Sequence, residues 1–60
     1  MQHVTVTVDG TEHHGTYYVQ EKILHARSFH GQKATQLGEL SPQSMARIML
    51  LEMVLEAKGK

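Results

Sequence analysis

The segment from Ser41 to Ala57, SPQSMARIMLLEMVLEA, constrains this chain most: it is an unbroken helix former whose apolar residues occupy almost the whole cylinder. Ser41 can accept a hydrogen bond from a free backbone N–H of the first turn. Pro42 suits the first helical position, where its missing N–H would have no partner. From Ser44 to Ala57 the run has neither Gly nor Pro and is rich in Ala, Leu, Met and Glu, which lose least on entering a helix. The spacing predicts a helix over about 42–57, with Gly59 as its stop.

With Met45 placed at zero and ~100° added per residue, Ala46, Met49, Leu50, Met53 and Ala57 fall on one arc, with Val54 at its margin. Ile48, Leu51 and Leu55 fall on a second arc. Arg47 and Lys58 fill one gap between the arcs, and Glu52 and Glu56 fill the other. A helix that rests once on one sheet shows a single apolar stripe and a broad polar face. Two stripes predict two burials. The methionine stripe is assigned to the sheet, because unbranched thioether side chains fill irregular cores. Ile48, Leu51 and Leu55 are left for a partner.

Sixty residues cannot build a second layer over that stripe, and a chain this short is near the lower limit for folding alone. A second copy, helix on helix about a two-fold axis, is the economical cover, so a homodimer is the expectation. A curved sheet or a fourth strand wrapping the helix, or a different protein partner, are the competing covers. A membrane surface is not expected, because the polar seams hold as many acids as bases.

Upstream, Val4, Val6 and Val8 alternate with Thr5 and Thr7, the period-two pattern of a half-buried strand. Asp9-Gly10 is a turn signal, and TEHHG after it suggests a longer loop or a bulge. The expected strands run about 3–8, 16–20 and 23–29, with Glu21-Lys22 as a turn. Residues 33–37 read as a short fourth strand or an extended connection. The fold class is therefore α+β, a three- or four-stranded antiparallel β-meander followed by one C-terminal helix on one sheet face, all in a single domain over 1–60. Parity places Val4, Val6, Val8, Tyr17, Val19, Leu24 and Ala26 against the helix. Thr5, Thr7, Thr16, Tyr18, His25 and Arg27 then face outward.

Six Lys/Arg balance six Asp/Glu, so the basic excess of a dedicated nucleic-acid binder is missing. There is no cysteine, which excludes disulfides, thiolate metal sites and a cysteine nucleophile. MQHVTVTVDG lacks the basic and apolar regions of a secretory signal. A soluble, cytoplasmic protein, of the size of many short bacterial chains, is the expectation.

Candidate chemistry is sparse. Five histidines raise a metal site, yet His25 and His30 are an odd number of residues apart and point to opposite sides of a strand. Adjacent His13 and His14 would need ligands from elsewhere, so neither metal nor cofactor is expected. Glu52 and Glu56 share a helix face, but Glu56 has a simpler surface partner in Lys60. No nucleophile context or phosphate loop occurs, and no enzyme is expected. The outward sheet face carries Tyr18, His25, Arg27 and, on this reading, Lys33. Small sheets do read nucleic acid with strand side chains, which makes this face the alternative functional surface.

Overall fold

A computed structural model describes residues 1–59 of the chain. Four antiparallel strands form one open sheet in sequence order: β1 (Gln2–Val8), β2 (Thr11–Gln20), β3 (Ile23–Ser28) and β4 (Gly31–Gln36). A single helix, α1 (Pro42–Lys58), packs on one face of that sheet. The α+β meander read from the sequence is the observed architecture. The ambiguous stretch after Gly31 is a fourth strand, beginning two residues before the expected 33–37.

The long loop expected at TEHHG does not exist. Asp9 and Gly10 take φ of 52° and 79°, the mirror-image turn that reverses the chain within two residues, so Val8 faces Thr11 directly. Five β-branched residues on β1 then offer a ladder to Glu12, His13, His14 and Gly15, and pairing overrides their weak strand preference. Glu21 and Lys22 make a second turn of the same kind, with φ of 52° and 65°. At the third turn, Phe29 leaves β3 one residue earlier than expected, and Gly31 takes φ of 133°.

The register decides which side chains meet α1. Val4, Val6, Tyr17, Leu24 and Ala26 are buried on the helix side together with Ala46, Met49, Leu50, Met53 and Val54. Val8 packs against this core only partly. Val19 lies opposite Leu24 on the same side yet stays 40% exposed. The register of β1 begins at Gln2, opposite Tyr17, so Val19 has a neighbouring strand on one side only.

Lys33 corrects the sequence reading. It lies opposite Ala26, and hence on the helix side of the sheet, where its ammonium meets the Glu56 carboxylate. The expected partner of Glu56, Lys60, lies outside the described residues.

The helix start follows its sequence signals. Ser41 Oγ accepts from the Ser44 N–H at 3.2 Å, and Pro42 occupies the first turn. The end is simpler than a left-handed glycine cap: Gly59 keeps φ of −73° and donates to the Leu55 carbonyl at 3.0 Å. Lys58 in the last turn reaches the Asp9 carboxylate, tying the helix C-terminus to the first hairpin.

Candidate functional site

Among the described residues, two surfaces are left without an intramolecular partner, and each contains residues singled out from the sequence. The first is the side of α1 that faces away from the sheet. Because Met49, Leu50, Met53 and Val54 point into the core, the helical repeat carries Ile48, Leu51 and Leu55 to the opposite side. They are 44%, 39% and 51% exposed. Ile48 and Leu51 also line a shallow groove with Ser44, Arg47 and Val6 of β1, so this apolar stripe is continuous with one edge of the sheet.

The second surface is the outer face of the sheet. Tyr18 and His25 are directly opposite on β2 and β3, and their rings stack with centroids 4.7 Å apart at 11°. The next row carries His3, Thr16, Arg27 and Gln32 across all four strands. With Lys33 on the helix side, Arg27 is the one Lys or Arg on the outward positions of the described strands. Glu12 is also outward and lies 3.1 Å from His14. The face is therefore polar and aromatic, with little fixed charge.

The histidines sort differently from their sequence spacing. His25 and His30 are not brought together; His30 instead meets His13, with Nε2 and Nδ1 3.4 Å apart. The antiparallel register causes this, because it sets the start of β2 beside the β3–β4 turn. The His30 N–H donates to Ser28 Oγ at 3.0 Å, and that hydroxyl donates to Met53 Sδ at 3.7 Å, which anchors the turn to the helix. Among the described residues, no three His, Asp or Glu side chains converge as a metal ion would require.

Phe29, read from the sequence as the last residue of the third strand, is instead 98% exposed at the tip of the β3–β4 turn and meets the edge of His30. No helix of the described residues is long and apolar enough to cross a membrane.

No family model matches the chain, and comparison with curated proteins and with solved structures finds no match either.

Proposed function

We propose that this protein is a small, non-enzymatic interaction module of the cytoplasm that works as a homodimer, with Ile48, Leu51 and Leu55 of α1 in the contact. The observation that carries the reading is the exposure of these three aliphatic side chains in one stripe, on a chain whose core is complete without them. Full burial of such a side chain is worth about 1.5–3 kcal/mol, and roughly half of each remains to be hidden. Across two protomers this comes to about 5–9 kcal/mol before the cost of association, itself about 4–15 kcal/mol. The gain from the stripe is thus of the same order as the cost of association, and a stable dimer needs further contacts beside it.

Sedimentation equilibrium tests the reading. A dimer at tens of micromolar, converted by Leu51→Lys to a monomer with unchanged helix content, is the expected result; a monomeric parent protein refutes it.

The stack of Tyr18 on His25 beside Arg27 favours a second reading, a nucleic-acid-binding regulator that uses the outer sheet face. Stacked aromatic rings can continue a base stack, and the Arg27 guanidinium suits a phosphate. One arginine is a small electrostatic footprint, which places this reading second. Titration with duplex and single-stranded nucleic acid at low salt should move the amides of Tyr18, His25 and Arg27; unmoved amides discard it.

A further inference from the structure

The two edges of the sheet are built differently. β4 is polar, begins at a glycine, and carries Lys33 turned inward onto Glu56. An inward charge is one of the usual means of keeping an edge from pairing with another chain. β1 has none of these features. Over Gln2–Val8 it contains no Asp, Glu, Lys, Arg or Pro, its register with β2 is unbroken, and five consecutive residues are β-branched. Its free side presents an uninterrupted row of backbone donors and acceptors with a high strand preference.

We propose that β1 is paired antiparallel with β1 of a second copy, about a two-fold axis perpendicular to the sheet. The inference rests on the homodimer reading and states how the two chains join. The product is one continuous sheet of eight strands, twice the four of each chain, with both helices on the same face.

Three features select a second copy as the occupant. The first is self-complementarity. In an antiparallel pair about a two-fold axis, each position meets one of the same parity, so the VTVTV run sets valine against valine on the helix side and threonine against threonine on the outer side. A one-residue slip in an unrelated strand would lose this match.

The second is the groove lined by Val6, Ser44, Arg47, Ile48 and Leu51, which runs between β1 and the helix. A strand added to β1 on this geometry lies along the groove and brings the second helix to the same side, so the edge and the flank of the stripe formed by Ile48 and Leu51 are covered together. The third is area. A stable interface hides about 800 Å² of each partner. Aromatic side chains bury 150–250 Å², so three smaller, half-exposed aliphatic ones give at most ~100 Å² each and need the strand edge beside them.

The test uses the full chain and the variant Thr5→Lys/Thr7→Lys. Both threonines are exposed on the outer face, so lysine there leaves the core and the helix stripe untouched. Across the two-fold axis the new lysines set like charges against one another, and the dimer should weaken at least tenfold with circular dichroism unchanged. In a sample of mixed labelled and unlabelled chains, interchain NOEs should connect the β1 backbones. A dimer that shows no such NOEs and is unaffected by the double substitution overturns the strand pairing and leaves the helix-mediated dimer standing. A monomer at tens of micromolar overturns both.

Discussion

Leu50 of α1 sits directly over Gly15 of β2. A Cβ at position 15 would lie 3.4 Å from Leu50 Cδ1 and only 2.8 Å from the Arg27 carbonyl oxygen. The absent side chain lets a fully buried leucine approach the sheet between Val4 and Ser28, which flank Gly15 on the neighbouring strands. Gly15→Ala should therefore destabilise the fold by about 1–3 kcal/mol, because the carbonyl contact is with backbone and cannot be relieved by rotating a side chain. Urea denaturation of the variant checks this, and unchanged stability would mean that the sheet shifts freely at this point.

The two helix stripes should respond oppositely to substitution. Leu50→Ala removes a side chain that is 1% exposed, and should cost about 2–5 kcal/mol of stability. Leu51→Lys replaces one that is 39% exposed, and should change stability far less while abolishing association. Thermal melts and sedimentation on the same two proteins separate the effects. Unfolding by Leu51→Lys alone would show that the monomer cannot stand without its partner.

Glu21 and Lys22 hold left-handed φ values that cost residues with side chains about 1–2 kcal/mol each. Replacing them with Asn and Gly, which adopt this turn readily, should raise stability by roughly 1 kcal/mol. A rise in the urea midpoint with an unchanged slope is the expected signature.

The Lys33–Glu56 contact makes a pH prediction of definite sign. The Glu56 carboxylate, through its hydrogen bond and charge, raises the Lys33 ammonium above its ordinary value of 10.5, with a smaller contribution from Glu52. A cation whose folded value is raised stabilises the fold fully below the unfolded value, and that contribution is lost as pH rises through the folded one. Stability should thus fall in the alkaline range above 10.5, and Lys33→Met should remove that part of the fall. The ammonium is solvent-exposed, so the effect should be small and should fade in high salt. A urea series at increasing pH, in low and high salt, measures it.

Local chemistry made several features legible without the fold. Ser41 and Pro42 announce the helix start because capping involves only neighbouring backbone. The division of α1 into two stripes follows from helical geometry, and so does the exposure of Ile48, Leu51 and Leu55. Tyr18, His25 and Arg27 were placed on one face because strand parity is exact once a strand is recognised. Lys33 is not legible in this way, because the residues around it carry no strand pattern of their own and one residue of register moves a side chain to the other face.

The sequence by itself determined the first three strands, the helix, their order and the two-sided character of that helix, since each arises from interactions a few residues apart, whereas the fourth strand needed the fold. Only the tertiary structure decided that β2 begins at Thr11, that Gly15 makes room for Leu50, that His13 meets His30 and that Lys33 turns to Glu56. Each of these joins residues distant along the chain, through a strand register or a helix position. Such contacts depend on how all five elements close on one core, which no local run of residues encodes.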